Sequence, residues 1–183
     1  MKSSIKPLLL LLSCVVITST ACFHTRREDF RIADEIVAQN DQRIQNEGFE
    51  PFLTGGSYRN TIRFISQGYN SNTLQFMSVD EARFFIVKQV QEFVEPFNEE
   101  KRIRMYLQNF PFTSKNVELI FSFEDAGNPP KSRLPPTLAL VSCIKGKIRY
   151  SIWDEKKDNF QLIHSESYEE ACIICAKNKN KTG

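Results

Sequence analysis

The chain has 183 residues, 41% of them hydrophobic and 15 of them Phe, which suffices for one domain of ordinary size and excludes an intrinsically disordered protein. Lys2 and Lys6 lie in residues 1–21 with no acid beside them, so the 24 basic and 22 acidic residues of the whole become 22 of each beyond that segment. A formally neutral domain lacks the basic footprint of a nucleic-acid binder, and no nucleic-acid partner is expected.

The chain opens on a cationic stretch, Met1–Lys6, then an apolar run of about a dozen residues from Pro7 to Thr18, then Ser19, Thr20 and Ala21 ahead of Cys22. This is the three-part form of a secretory signal. A membrane-spanning helix needs roughly 20 apolar residues, whereas this run stops at Thr18 with His24, Arg26 and Arg27 close behind. Cleavage is therefore expected rather than an uncut anchor. Ser19-Thr20-Ala21-Cys22 resembles the lipobox of bacterial lipoproteins, with Ser19 standing where an aliphatic residue is usual. The resemblance covers the first 22 residues. It implies a diacylglyceryl group on Cys22, a cut ahead of it by signal peptidase II, and no property of the folded part. A second cysteine, Cys14, follows Leu11-Leu12-Ser13 and restores the aliphatic position. It leaves an apolar core of only about five residues, short of the 7–15 a signal needs, so Cys22 is the expected lipidation site. Two or more acyl chains anchor a protein stably. The expected partner is thus a lipid bilayer at the cell envelope. Phe23, in place of an Asp, favours the outer membrane in a Gram-negative host.

Residues 26–47 predict a helix, with Phe30, Ile32, Ile36, Val37 and Ile44 among polar residues and Gly48 as its stop. Its apolar face is thin, which suits a partly detached helix joining anchor to domain. Phe49–Gly56 reads as a turn region, broken by Pro51 and Gly55-Gly56. Residues 58–67 and 73–77 carry strand-favouring types (Tyr58, Ile62, Phe64, Ile65; Leu74, Phe76), with Gly68–Asn72 as the turn between them. The clearest element is a helix over 79–97. Ser78 and Glu81 form a capping box, and Ala82, Phe85, Ile86, Val90, Phe93, Val94 and Phe97 recur at steps of three and four. Pro96 ends or kinks it, Glu99–Asn109 suits a short helix, and Pro111–Asn116 is a connection.

The period then falls to two. Val117, Leu119, Phe121 and Phe123 alternate with polar residues as a half-buried strand. A proline-rich loop from Ala126 to Pro136 leads to strands at Leu138–Ile144 and Ile148–Trp153, joined tightly at Lys145-Gly146-Lys147, and to a further strand at Phe160–His164. Ser167 and Glu170 form a second capping box, opening a closing helix to about Lys177. The expected class is α+β: an antiparallel sheet of about four to six strands, a long amphipathic helix on one face, and a short C-terminal helix. The expected segments are a signal peptide at 1–21, anchor and helix at 22–50, one α+β domain at 51–177, and a mobile tail at 178–183.

Cys172-Ile173-Ile174-Cys175 has the spacing of an exchanging dithiol, which works when a helix N-terminus lowers the thiolate pKa. Here the pair begins about five residues into the helix, after Glu169 and Glu170, whose charges oppose a thiolate. The alternative is that both cysteines pack as small apolar residues. An internal disulfide from Cys143 to Cys172 or to Cys175 is the intermediate case, since export permits one. His24 and His164 with these cysteines show no metal-ligand spacing, and no P-loop, HExxH or GxSxG occurs. No metal, no cofactor and no catalytic residue is assigned. Glu99-Glu100, Glu124-Asp125, Asp154-Glu155 and Glu169-Glu170 lie at element ends, where carboxylates are ordinary caps. Two of them facing across a cleft would be needed for glycoside hydrolysis. Pro129–Pro136, with Arg133 beside Leu134-Pro135-Pro136, resembles a polyproline ligand, or is a stiff loop. The function expected is a lipid-anchored envelope protein with a non-catalytic binding or assembly domain and an envelope protein as a further partner. An envelope enzyme using carboxylates, or Cys172 and Cys175, is the rival.

Overall fold

The computed structural model of the chain describes residues 28–57, 61–72, 77–123 and 138–179. The signal segment, Cys14, Cys22, Phe23 and His24, the residues Leu74 and Phe76, the pair Glu124-Asp125, the proline-rich loop and the last four residues lie outside them. The order is α1 (Glu28–Asn46), β1 (Phe49–Ser57), β2 (Phe64–Ser71), α2 (Val79–Glu99), two 3-10 turns, β3 (Val117–Ser122), β4 (Leu140–Ile144), β5 (Lys147–Asp154), β6 (Asn159–Ser167) and α3 (Tyr168–Lys179). The six strands form one sheet in sequence order, and every neighbouring pair is antiparallel except β2 with β3. The class is α+β.

The one parallel pair follows from the connection. Hairpin loops join antiparallel strands, whereas parallel neighbours need a crossover about the length of a helix, and α2 is that crossover. The register places Ile65, Gln67 and Tyr69 of β2 opposite Val117, Leu119 and Phe121 of β3. Cys143 and Val141 of β4, then Ile148 and Tyr150 of β5, continue the same face. All are buried and face the helices. On the other face Ser66 donates to Glu118 at 3.2 Å, and Lys145 reaches the same carboxylate at 3.3 Å. That polar ladder is what a sheet packed on one side alone displays.

α1 is not detached. Ile32, Ala33, Ile36, Val37 and Ile44 are buried in the common core, and Asn40 donates across to the Phe93 carbonyl of α2. The stripe is narrow because a polar seam completes it. Nη1 of Arg43 meets Glu47, Gln89 and Glu92 at 3.1, 2.8 and 2.7 Å, and Lys88 bonds Glu47 at 2.9 Å. Burial alone would raise the Glu47 pKa, but the bonds from Lys88 and Gln89 and the charges of Lys88 and Arg43 hold it below the ordinary carboxylate value. Gly48, at φ 88°, provides the left-handed stop that a Cβ would strain.

Two segments expected to turn are strands. Phe49–Ser57 is β1, which tolerates Pro51 because it is an edge strand and a proline there costs no ladder bond. The register slips between Pro51 and Leu53. Gly68, expected in a turn, lies inside β2. A Cβ on it would come within 2.7 Å of the Phe52 ring and 2.9 Å of Leu53 Cβ, so an aromatic side chain occupies the space the glycine leaves.

In α2 the capping box forms in both directions between Ser78 and Glu81. Phe93 and Phe97 are fully buried, while Phe85 packs partly buried against Phe49 and Phe121, with ring centroids 5.4 and 4.9 Å apart. The helix passes Pro96 and ends at Glu99, and the short helix expected from there reduces to the turn Arg104–Tyr106. Asn98 pins the return instead, donating to the Phe112 carbonyl at 2.9 Å and accepting its amide at 2.7 Å. Lys145 and Gly146 take positive φ of 52° and 80°, the two-residue hairpin turn that matches strand twist. β6 runs on past His164 to Ser167, whose hydroxyl accepts the Glu170 amide while Glu170 reaches back, opening α3.

Candidate functional site

The polar groups that converge most closely lie where α2, β5, β6 and α3 meet. α2 carries Arg83 next to Ala82 and three residues before Ile86, so its side chain enters the buried side of the helix. β6 supplies Glu166, opposite Ile148, and His164, opposite Tyr150. Glu166 Oε1 accepts from Arg83 Nε at 2.7 Å and from the Tyr150 hydroxyl at 2.5 Å. Arg83 also bonds Asp80, one turn back on α2. His164 Nε2 is 3.9 Å from the same Glu166 oxygen, and its ring lies 5.4 Å from that of Tyr150. Burial, then the bond to Glu166, raises the Tyr150 pKa above the ordinary phenol value, so Tyr150 is a donor at neutral pH.

Arg83, His164, Ser165, Glu166, Glu170, Ile173 and Ile174 line a cavity of about 470 Å³. Chemically the arrangement is closed upon itself. Its buried carboxylate, that of Glu166, is paired with a guanidinium and bonded by a phenol. Opposite it stands an apolar wall.

The cysteines behave as core. Cys143, Cys172 and Cys175 form no disulfide in the structure; Cys143 and Cys175 are buried and Cys172 is half-buried. Burial pushes the Cys143 thiol up to about 12. Cys172 is raised as well, by burial first and by the charge of Glu169, against a bond from Tyr168. An exchanging dithiol needs the opposite shift. Of the two residues between the cysteines, Ile173 is not core: it is 55% exposed.

The carboxylate pairs separate. Asp154 is tied into its turn by the amides of Lys156 and Lys157 and by Lys157 Nζ at 3.2 Å, while Glu170 caps α3. Glu99 and Glu169 do share a groove, about 840 Å³ in volume, with Glu95, Arg104 and a floor of Val90, Val94 and Tyr168. Glu95, Glu99 and Glu169 are exposed to water there, and the fourth carboxylate, Glu92, is half-buried and bonded to Arg43. Among the described residues no group of three His, Cys, Asp or Glu side chains could hold a metal ion, and no helix is long and apolar enough to cross a membrane.

The sequence reading missed Arg83, Tyr150 and Glu166. Arg83 alone left a signal, a charge on the apolar stripe of α2; Glu166 is 83 residues away and only the fold brings it to hand.

No protein-family model and no solved structure matches the chain. Among curated proteins the chain is similar to an ATP-dependent RNA helicase, RhlB, of Proteus mirabilis strain HI4320, with 24% identity over 152 residues. The match covers 76% of this chain and 32% of that protein, so the chain spans about a third of the relative's length.

Proposed function

We propose that the chain is an exported lipoprotein, held at the cell envelope by lipid on Cys22, whose α+β domain binds or assembles and performs no catalysis. The observation that supports the non-catalytic part is how the convergent groups are used. Arg83, Tyr150 and Asp80 are bonded within one network around Glu166, and the exposed side chains around it are His164 and the α3 cap Glu170 together with the apolar Leu162, Ile163 and Ile173. Catalytic sites hold titratable groups unspent and poised; binding sites expose apolar side chains. The anchor is supported by the signal-like segment and by Ser19-Thr20-Ala21-Cys22, which favours the outer membrane through Phe23 in a host that has one.

The test is labelling of the expressed chain with a palmitate analogue. Label should be incorporated, be lost with Cys22→Ala, and accompany an uncut precursor when globomycin blocks signal peptidase II. Label that survives Cys22→Ala and disappears with Cys14→Ala would move the anchor to Cys14. Absence of label in all of them would remove it.

A further inference from the structure

A strand at the edge of a sheet offers a row of N–H and C=O groups that only another extended backbone can satisfy in register, and folded proteins guard such edges with proline, charge or a bulge. The two edges of this sheet are treated differently. β1 carries Pro51, Glu50 and a register slip. β6 is nine residues long, and from Asn159 to Ser165 it holds neither a proline nor a formally charged residue. Among the described residues its guard is a single irregularity at Ile163, left unopposed between the pairs Tyr150–His164 and Ser151–Leu162. Phe160, Leu162 and Ile163 are 45%, 52% and 42% exposed, and Ile173 of α3 adds a fourth exposed apolar side chain beside the cavity that His164 and Glu166 line. Half of the exposed large apolar side chains among the described residues thus gather at one edge.

We propose that β6 is a dimerisation edge, pairing antiparallel with β6 of a second copy of this chain. The charge pattern selects the copy over a partner of other composition. A neutral strand gives a charged peptide nothing to meet, whereas it can oppose itself without repulsion. With Leu162 opposite Ile163 of the second copy, Gln161 meets His164, Phe160 meets Ser165 and Asn159 meets Glu166, so no two formal charges face each other. A two-fold axis makes the contact isologous, and the assembly closes at two copies because each then has no second unguarded edge. This rests on reading the domain as a binding or assembly module, and not on the anchor.

The test uses the full chain in expressing cells, in whichever fraction holds it. Leu162→Cys and Ile163→Cys are placed on two differently tagged copies, and mild oxidant is added. A mixed disulfide dimer should form in several-fold excess over either variant alone and over the wild type, whose Cys143, Cys172 and Cys175 set the background. Phe160→Lys added to both tagged copies should abolish it while leaving the far-ultraviolet circular dichroism unchanged. In density-matched detergent the wild type should sediment with the mass of two chains and Leu162→Lys with the mass of one. A wild type of single-chain mass without the mixed disulfide would overturn the proposal, as would crosslinks from residue 162 to a different protein. A dimer that also reduced insulin would leave the edge assigned and overturn the non-catalytic reading; a monomer without activity would overturn the edge alone.

Discussion

Glu166→Gln keeps the size of the side chain and removes its charge, which isolates the ion pair from its packing. Both partners are buried, with side chains 8% and 7% exposed for Arg83 and Glu166. Breaking a buried pair by neutralising one member costs about 3–5 kcal/mol when the remaining charge has no other partner. Arg83 keeps Asp80, but that carboxylate is 75% exposed, and a solvated pair contributes only about 0–1 kcal/mol. The amide oxygen of Gln still accepts from Tyr150 as a neutral group, at a loss of about 1 kcal/mol relative to a charged acceptor. These terms overlap, and the expected cost is about 2–4 kcal/mol. Urea denaturation of the unlipidated chain, followed by Trp153 fluorescence and circular dichroism, reads it directly. With a slope of about 1–3 kcal/mol per molar, the midpoint should fall by about 1 M or more at unchanged slope. Arg83→Met with Glu166→Leu should recover most of the loss, because replacing both charges by apolar groups is close to neutral. A Glu166→Gln midpoint indistinguishable from wild type, or a double variant worse than either single one, would refute the view of this network as closed and structural.

The core facing α2 should behave as a single packed unit: Phe93→Ala should cost about 3–5 kcal/mol in the same assay, and a loss under about 1 kcal/mol would contradict its complete burial. High pH should destabilise the fold. Cys143 is raised from 9.0 to about 12, and Tyr69, Tyr150 and Tyr168 are raised from 10.0, in each case by burial first. The unfolded chain therefore releases these protons before the folded one, and stability falls as pH climbs past about 9, by up to about 1.4 kcal/mol per pH unit for each group in its window. Urea midpoints that stay level or rise toward about pH 11 would count against the burial of all four. At neutral pH, Cys143 and Cys175 should resist iodoacetamide until denaturant is added, Cys172 should react slowly, and the chain should reduce no insulin disulfides. Fast native alkylation of Cys172 would restore the thiol-exchange rival.

What was legible in the sequence was local. The two capping boxes at Ser78 and Ser167, the three- and four-residue rhythm of α2, the alternation of β3 and the Lys145-Gly146 turn each depend on residues a few positions apart, and each forms as read. The α+β class followed, because the order of such elements limits how their apolar sides can be covered. Elements whose meaning depends on a distant neighbour were not legible. Pro51 and Gly68 signal turns by local chemistry; as strand residues they make sense only once β1 is an edge and the Phe52 ring lies over Gly68. The thin stripe of α1 suggested detachment, since Asn40 and Arg43 look solvent-facing until α2 supplies their partners. The buried network failed for the same reason at longer range: nothing between Arg83 and Glu166 along the chain predicts that one crossover helix will set them 2.7 Å apart. The apolar edge was half visible, as an uncharged run from Asn159 to Ser165. Whether such a run is an inner strand or an open edge depends on what pairs beside it, and only the tertiary structure decides that.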